Sequence, residues 1–502
     1  MIFNFLFLIL TSIQWIPTLQ FISLSSRNVD VLDFNNPGWF IPWQNLVQFI
    51  APDFFGNPTT LNYWGVWNYA EFVGYVGILP FILAVFSLFF RQDKKTLFFG
   101  AGFFISLIFS LPTFFAKIPF VLGIPLIETS QPTRLLFITT FSLAVLAGLG
   151  LDNFVKTRNR KIFYPVISFA CIFIFLWFLT NFSDPNLAVS RRNLFLPGAL
   201  LIVSGALLFV SVVFRLGPVA IMIHIIIVGV VVFDLFRFGW KFIPFTNKNY
   251  LFPSTRAISF LQRNIGEFRM MSTDARILPP NFSSIYRIQN IDGYDPLYLL
   301  RYGELIASSE RKKADINPPF GFNRIITPHN IDSKIIDLLG VKFVLSLSDL
   351  KSDKLKKVFQ EGKTRIYKNT DVIRRAFFVQ NTQSAFNKEE SIKLMFANNF
   401  NPRETAVLEL ENTGGGEAIP PERWNKRWSK GKAEIIVYTE NKIIVKTNNS
   451  EDGFMVLTDS FYPIWHATID SLKTKIYRTD YNFRGVVVPA GKHKVEFYSS
   501  LF

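Results

Sequence analysis

Two clusters of polar residues interrupt the apolar first half of this 502-residue chain, and their side chains could perform acid–base and phosphate chemistry. Asp53 lies in a turn-rich stretch and Glu71 at the mouth of an apolar segment, while Glu128, Gln131 and Arg134 crowd the entrance of another. A carboxylate can act as a general base, and the fork of an arginine can hold a phosphate through two hydrogen bonds. Alternatively, Asp53 caps its turn and Arg134 anchors the chain at a membrane surface.

Aromatic side chains offer a second kind of contact. Those that could stack on a sugar ring or a lipid are Trp64, Trp67 and Tyr69 in the first half, and Tyr462 and Trp465, next to His466, in the second. The alternatives are a tryptophan and tyrosine belt at the level of the lipid headgroups for the first group and packing in a protein core for the second. The residue types alone leave both functions open.

Metal chemistry has no support in the sequence. The four histidines lie at positions 224, 329, 466 and 493 without a common spacing, and Cys171 is the one cysteine. No thiolate or histidine metal site follows from this pattern, so the cofactor is unknown and a divalent metal ion is not predicted. His224 lies inside an apolar segment without a visible partner, and Asp234 and Arg237 are expected to pair with each other along one helix face or with the membrane interface.

The elements that must position these residues differ between the two halves of the chain. Residues 1–240 contain 14 Lys and Arg and 9 Asp and Glu, whereas the remainder contains 39 and 28. Scarce charge is typical of membrane helices, and ordinary charge is typical of a water-soluble domain. The basic excess of the second half favours anionic lipid or an anionic substrate as a partner, and it argues against nucleic acid beside a membrane; a solvated surface is the alternative.

Seven apolar segments approach the roughly 20 residues that a spanning helix needs, at about 1–22, 72–90, 96–115, 135–155, 162–181, 194–214 and 218–238. The first has no basic start and no small-residue cleavage site, and so predicts a true span. One set of connections holds eight basic residues and the other five, which places the first set in the cytoplasm. Residues 23–71, 116–134, 182–193 and everything after 239 are therefore predicted to lie outside.

The connections at 23–71 and 116–134 are long, the first rich in tryptophan and the second in proline. Pro42 is expected to begin a short amphipathic helix, with Trp43, Leu46 and Val47 on its apolar face and Asn45 on its polar face. Irregular polar backbone at membrane depth needs protein or a wet cavity around it. We therefore expect the two connections to meet over one cavity at the outer surface.

The second half predicts helices at 254–264, 296–308, 331–339 and 387–398 and strands at 341–347, 365–369 and 375–380. From about 432 onward, short alternating segments separated by turn residues are typical of a β-sandwich. The predicted fold class is a membrane all-α bundle followed by a soluble extracytoplasmic α/β and β-sandwich region. Its predicted domains are 1–239 (transmembrane helices), 240–411 (mixed α/β), 412–431 (linker) and 432–502 (β-sandwich-like).

Five segments carry a resemblance to a known family. They are IQWIPTLQFISLSSR (13–27), APDFFGNPTTLNYWGVWNYAEFVGYVGILP (51–80), QPTRLLFITTFSLAVLAGLGLD (131–152), SFYPIWHATID (460–470) and YRTDYNFRGVVVPAGKHKVEFY (477–498). They resemble the bacterial YfhO family of multispan membrane proteins, which is similar to GT-C glycosyltransferases. The resemblance implies a polyprenyl-phosphate sugar donor, a cell-envelope polymer as acceptor, and a place in the bacterial plasma membrane with the C-terminal domain outside.

The same resemblance implies differences from the family. Its members usually have further spans at both ends, and in GT-C enzymes the first outer loop carries the catalytic carboxylate. The chain is therefore expected to be the C-terminal part of such a protein. Under this interpretation, Asp53 and Glu71 are candidates for the catalytic base, and Arg134 with Gln131 and Glu128 would contact the donor phosphate.

Three functions remain open from the sequence. The first is a glycosyltransferase of this type, or part of one. The second is a transporter or flippase for a lipid-linked saccharide, although such proteins typically show inverted repeats and interrupted spans, and neither is visible here. The third is a non-catalytic membrane subunit whose outer domain binds the envelope polymer through Tyr462, Trp465 and His466. Transfer activity would separate the first function from the other two.

Overall fold

The computed structural model describes residues 2–29, 34–124, 127, 130–214, 218–243, 245–322, 324–410 and 427–500. It contains two compact units. One is Leu32–Asn247, which we call the helical unit. The other joins Met1–Val31 with Lys248–Phe502, and we call it the β-rich unit. The first helix of the chain is therefore grouped with the C-terminal half.

The α-helices of the described residues are α1 (Ile2–Ser23), α2 (Tyr69–Phe72), α3 (Ile78–Phe90), α4 (Lys94–Ser110), α5 (Phe114–Val121), α6 (Leu136–Thr157), α7 (Phe163–Leu179), α8 (Pro185–Val213), α9 (Pro218–Trp240), α10 (Lys248–Leu251), α11 (Arg256–Asn264), α12 (Leu300–Arg311), α13 (Lys334–Leu338) and α14 (Lys388–Met395). Short 3₁₀ helices lie at Ser26–Asn28, Trp43–Phe49, Pro58–Thr60, Pro132–Leu135, Arg160–Ile162 and Phe282–Tyr286.

About five long apolar helices in the first half are followed by a mostly β region. Helices able to cross a membrane by length and composition are Phe5–Ser23, Pro132–Thr157, Arg160–Leu179, Pro185–Val213 and Ile221–Trp240. The pair α4 and α5, bent by 61°, would make a sixth span. The predicted count of seven is not confirmed, because α3 has only 13 residues, fewer than the roughly 20 that cross a bilayer. The predicted orientation stays a prediction.

Helices α3 and α6 pack closely in the core of the helical unit. A Cβ atom at Gly150 of α6 would lie 2.0 Å from the carbonyl oxygen of Leu83 of α3, so only glycine allows this approach. At the end of α3, Arg91 donates to Asp93, 2.6 Å away, and to Asp152 of α6, 2.8 Å away. These ion pairs tie the ends of α3, α4 and α6 together.

The prediction for the helix after Pro42 is wrong about which side chains are buried. The segment Trp43–Phe49 is a 3₁₀ helix, in which Asn45 and Gln48 are buried and Trp43 is 55% exposed. Three residues per turn place Asn45 and Gln48 on one side, where the Asn45 amide donates to Gln48 at 2.7 Å. The Gln48 amide donates in turn to the carbonyl oxygen of Pro52 at 3.1 Å. The polar face therefore supports the following loop.

The β-strands of the described residues are β1 (Arg269–Ser272), β2 (Gly293–Tyr294), β3 (Ile325–Ile326), β4 (Val341–Ser346), β5 (Leu355–Glu361), β6 (Thr364–Asn369), β7 (Ala376–Val379), β8 (Asn381–Ala385), β9 (Thr405–Glu409), β10 (Gly431–Tyr438), β11 (Lys442–Asn449), β12 (Gly453–Leu457), β13 (Trp465–Ile469), β14 (Leu472–Thr474), β15 (Tyr477–Thr479), β16 (Phe483–Val488) and β17 (Gly491–Ser499).

These strands form three larger sheets and one pair. The larger sheets have the orders β1-β4-β6-β5, β10-β11-β17-β13-β14 and β7-β12-β16-β15-β9-β8, and β2 pairs with β3. An apolar cluster that includes Phe378, Met455, Val445 and Phe497 holds the second and third sheets together. Strands from both sides of 412–431 share the third sheet, and residues 411–426 of the predicted linker lie outside the described residues.

A buried carboxyl group makes the stability of the β-rich unit depend on pH. Asp480 is fully buried, and its Oδ1 accepts a hydrogen bond from the Val407 amide at 2.8 Å. Its Oδ2 has no hydrogen-bond partner among the described residues. Burial raises the pKa of Asp480 to about 7. The unfolded chain releases this proton near pH 3.8, so the folded state holds it longer, and stability falls as pH rises from about 4 to about 7.

We therefore expect Asp480→Asn, which resembles the protonated group, to raise stability above pH 7 by on the order of 4 kcal/mol. The measurement is the apparent melting temperature of the full chain in detergent. Between pH 5 and pH 8 it should fall less steeply with rising pH in Asp480→Asn than in the wild type. Some slope should remain, because burial also raises the pKa of Asp292 to about 7. The control is Asp353→Asn, at an exposed position. An unchanged slope in Asp480→Asn would contradict the expectation.

Candidate functional site

The loop that carries Asp53 is buried inside the helical unit. Residues 49–57 are all buried, which suits the rule that irregular backbone at membrane depth must be enclosed by protein. The carbonyl oxygen of Asp53 accepts a hydrogen bond from the Asn193 amide of α8 at 2.6 Å. The carbonyl oxygen of Phe54 accepts one from the Ser190 hydroxyl at 2.6 Å. Two side chains of α8 thus add to the loop's own backbone hydrogen bond, which the Gly56 amide donates to the Asp53 carbonyl oxygen at 2.8 Å.

The Asp53 carboxylate is saturated with partners. Its Oδ1 accepts hydrogen bonds from the Asn57 amide at 2.7 Å and from the Tyr69 hydroxyl at 3.1 Å. Its Oδ2 forms an ion pair with Lys241, which follows α9. Burial and the nearby Asp53 raise the pKa of Tyr69, so its hydroxyl stays a donor. Asp53 therefore holds Asn57 within its own turn, Tyr69 in the same connection and the distant Lys241, so its side chain does more than close the turn.

A second buried carboxylate, Asp234 of α9, lies near the same loop. The Tyr75 hydroxyl lies 2.7 Å from its Oδ1 and 2.8 Å from its Oδ2, and the Ile78 amide donates to Oδ2 at 3.0 Å. The expected interaction with Arg237 is present as an electrostatic one, although no ion pair within 4.0 Å joins the two among the described residues. The hydrogen-bond partners of Asp234 are both neutral, so Arg237 is a nearby positive charge that does not touch the carboxylate.

Asp53 and Asp234 line one cavity of about 60 Å³. The other polar residues of its wall are Tyr75, Arg192, Asn193 and Arg237. The cavity lies beside the first turns of α8 and the last turns of α9. Helix α8 begins where Asp184 caps it and Pro185 occupies its first turn, both common at a helix start. The cavity has the volume of about two water molecules, so a larger group could enter only if the wall opened.

Two arginines supply the positive charge of this wall. Arg192 and Arg237 are exposed, and neither has an ion pair within 4.0 Å among the described residues. A guanidinium that is not engaged by a protein carboxylate is available for an external phosphate or carboxylate. The cavity therefore combines the Asp234 carboxylate with two arginines, and no ion pair within 4.0 Å engages any of the three among the described residues.

Glu71 and Arg134 form a separate contact between the two long connections. Glu71 accepts a hydrogen bond from the Thr133 hydroxyl at 3.0 Å, and the Arg134 Nε lies 4.0 Å from its Oε1. The Gln131 amide donates to the carbonyl oxygen of Gly38 at 3.1 Å. The two connections do meet, as the sequence predicts. None of these residues lines the cavity of Asp53 and Asp234, and Glu128 lies outside the described residues.

The aromatic residues near Asp53 occupy three different environments. Trp64 packs edge-on against Phe55 with ring centres 4.9 Å apart. Trp67 is 75% exposed. Tyr69 is buried and stacks on Phe242 at 5.8 Å, so its ring is already covered. Of the three, Trp67 presents a ring to the surroundings.

In the β-rich unit, Trp465 and His466 are neighbours on β13 and therefore point to opposite faces. The guanidinium of Arg484 lies 3.8 Å from the centre of the Trp465 ring, which packs against the apolar cluster between the sheets. His466 is exposed beside Tyr498, and Tyr462 contacts Phe21 of α1 at 6.1 Å. These residues do not form one continuous stacking surface.

The long-range contacts at and around the cavity carry no signal in the sequence. Asp234 meets Tyr75 across 159 positions, and Lys241 meets Asp53 across 188. The one available hint was the cost of charge in an apolar segment, which applies to Asp234. It applies equally to His224, whose Nε2 lies 3.2 Å from a guanidinium nitrogen of Arg158.

No group of three or more His, Cys, Asp or Glu side chains able to hold a metal ion occurs among the described residues. No family model, curated protein or solved structure matches the chain.

Proposed function

We propose that the chain is a membrane glycosyltransferase, or part of one, that uses a polyprenyl-phosphate sugar to modify a cell-envelope polymer outside the bacterial plasma membrane. The observation that carries the proposal is the meeting of the Asp234 carboxylate with Arg192 and Arg237 in one cavity, where none of the three has an ion pair within 4.0 Å among the described residues. The resemblance to the YfhO family supports the choice of donor and acceptor.

The proposed reaction uses each of these groups once. The acceptor hydroxyl attacks the anomeric carbon of the sugar, and its proton passes to the Asp234 carboxylate. The bond between that carbon and the phosphate oxygen breaks, and the polyprenyl phosphate leaves with the electron pair. Arg192 and Arg237 stabilise the negative charge of the leaving phosphate. Asp53 is a positioning residue, since Lys241, Tyr69 and Asn57 already occupy its oxygens.

A photoreactive polyprenyl-phosphate sugar tests the substrate class and the location together. Ultraviolet labelling of the full chain in nanodiscs should modify peptides from α8 and α9 around the cavity. The double variant Arg192→Gln, Arg237→Gln should lower this labelling by about tenfold or more, because two charge-assisted hydrogen bonds are lost. The matched control is Lys94→Gln, Lys95→Gln, which removes two exposed cations at the start of α4.

Two results would contradict the proposal. One is equal labelling of wild type and the arginine variant. The other is equal labelling of the same peptides by a photoreactive polyprenol without phosphate, because the arginines would then not contribute to recognition of the phosphate.

The saturation of Asp53 favours a second candidate function, a non-catalytic subunit that binds the envelope polymer. A lysine, a tyrosine and an amide already occupy the oxygens of Asp53, so without Asp234 no other carboxylate among the described wall residues is open to an acceptor. Binding of polymer without sugar transfer would support this candidate.

A further inference from the structure

The β-rich unit contains a buried cluster with an excess of positive charge. The guanidinium groups of Arg269, Arg375 and Arg484 surround the single carboxylate of Asp459. Arg375 is 1% exposed and Arg484 4% exposed. Ion pairs join Asp459 to Arg375 and, at 2.6 Å, to Arg269. Among the described residues, no other carboxylate lies within 4.0 Å of these three guanidinium groups.

Neutral groups satisfy only part of this cluster. The Tyr438 hydroxyl lies 2.6 Å from a terminal nitrogen of Arg375, and Arg484 donates from Nε to the carbonyl oxygen of Ser460 at 3.0 Å. Arg375 Nε and Arg484 Nη1 have no hydrogen-bond partner among the described residues. Burial lowers the pKa of Arg484 to about 10 and, together with neighbouring Arg375, lowers that of Arg269. Buried charge without a counter-ion is costly, so an anion would stabilise the cluster.

A cavity gives access to this cluster. Its volume is about 250 Å³, somewhat below that of pockets for drug-sized ligands and suited to a phosphate or a single sugar unit. Arg269, Thr458 and Ser460 line it, and Thr458 and Ser460 flank Asp459 in the chain. Asn290 and Tyr302 add polar groups to the wall, and the apolar part includes Leu299 and Phe483.

We propose that this cavity binds an anionic group, a phosphate or a carboxylate, with the Arg269 guanidinium as its principal contact. A saccharide that carries such a group fits the mixture of polar and apolar wall residues. The site lies wholly within the β-rich unit and does not rest on the function proposed for the membrane cavity. An anion bound in this cavity would offset part of the positive charge that Asp459 alone does not balance.

Titration calorimetry on the full chain in detergent tests the proposal. The probes are inorganic phosphate, glucose 6-phosphate and glucuronate, with glucose and chloride as comparisons. Leu299→Phe narrows the cavity and leaves every arginine in place, so it should weaken anion binding by about tenfold or more. Arg269→Lys keeps the charge but loses the forked geometry, and it should also weaken binding by about tenfold. Leu472→Phe, at a 77% exposed position, is the matched control.

The expected result is that wild type and Leu472→Phe bind the anionic probes and do not bind glucose. Tighter binding of glucose 6-phosphate than of inorganic phosphate would support a saccharide-borne group, and equal binding would support a free anion. The proposal is overturned if no anion binds the wild type, or if either Leu299→Phe or Arg269→Lys binds as the wild type does. No lipid donor is present in this experiment, so its failure would be distinct from failure of the transferase proposal.

Discussion

Replacing Asp234 with asparagine is expected to lower the rate of sugar transfer by about 10²- to 10⁴-fold, the range usually lost with a positioned general base. Asparagine keeps the size of the side chain and can still accept hydrogen bonds from the Tyr75 hydroxyl and the Ile78 amide, which hold Asp234 in place. It cannot take up the proton of the acceptor hydroxyl. The loss should therefore appear in the rate of the chemical step.

Photoaffinity labelling by the donor distinguishes this loss from a loss of binding. In Asp234→Asn, labelling should stay close to that of the wild type, because the proposed phosphate contacts are Arg192 and Arg237. The control is Asp184→Asn at the exposed start of α8, which alters a helix cap outside the cavity. A transfer rate in Asp234→Asn within about threefold of the wild type would exclude this residue as the base.

The largest effect on stability is expected from Asp459→Asn in the β-rich unit. Within the described parts of the chain, Asp459 is the one carboxylate that lies within 4.0 Å of any of the three guanidinium groups of Arg269, Arg375 and Arg484, and it interacts with all three. Burial alone would raise its pKa, but Arg375, Arg269 and Arg484 together hold the pKa of Asp459 below its usual value. The substitution removes the negative charge and leaves the three positive charges facing one another. Breaking a buried pair in this way costs about 3–5 kcal/mol.

The measurement is the apparent melting temperature of the full chain in detergent at pH 7. A loss of this size should lower it by about 10 °C for a unit of this length. The exposed Asp353→Asn serves as the control, as it does for Asp480. A decrease of less than about 2 °C would contradict this expectation, because it would mean that water or another negative group compensates the three arginines.

Local patterns explain why much of the β-rich unit could be predicted. Strand β10 alternates between half-buried and exposed residues along its whole length, and strand β12 is buried throughout. Both patterns come from short-range sequence, so the strands after 432 are found close to their predicted positions. Strand β5 was missed, since lysines at 356 and 357 mask the apolar positions at 355 and 359.

The membrane cavity could not be predicted in the same way. The loop around Asp53 stood out by its composition, but its ion pair with Lys241 joins residues 188 positions apart. Arg192 resembles any basic residue in a connection, and the spacing of Asp234 and Arg237 indicates an interaction but not that Tyr75 and the Ile78 amide hold the carboxylate. Long-range packing decides which charges remain uncompensated, and no periodicity in one sequence records it.

The central claim is tested most directly by counting turnovers. The full chain in proteoliposomes would be supplied with an isotopically labelled polyprenyl-phosphate sugar and isolated envelope polymer, and the labelled sugar on the polymer would be measured per protein molecule. We predict several sugars transferred per protein, with an equal amount of polyprenyl phosphate released. Donor that binds and labels the cavity without any sugar reaching the polymer, for every sugar tried, would contradict the transferase account and leave a binding subunit in its place.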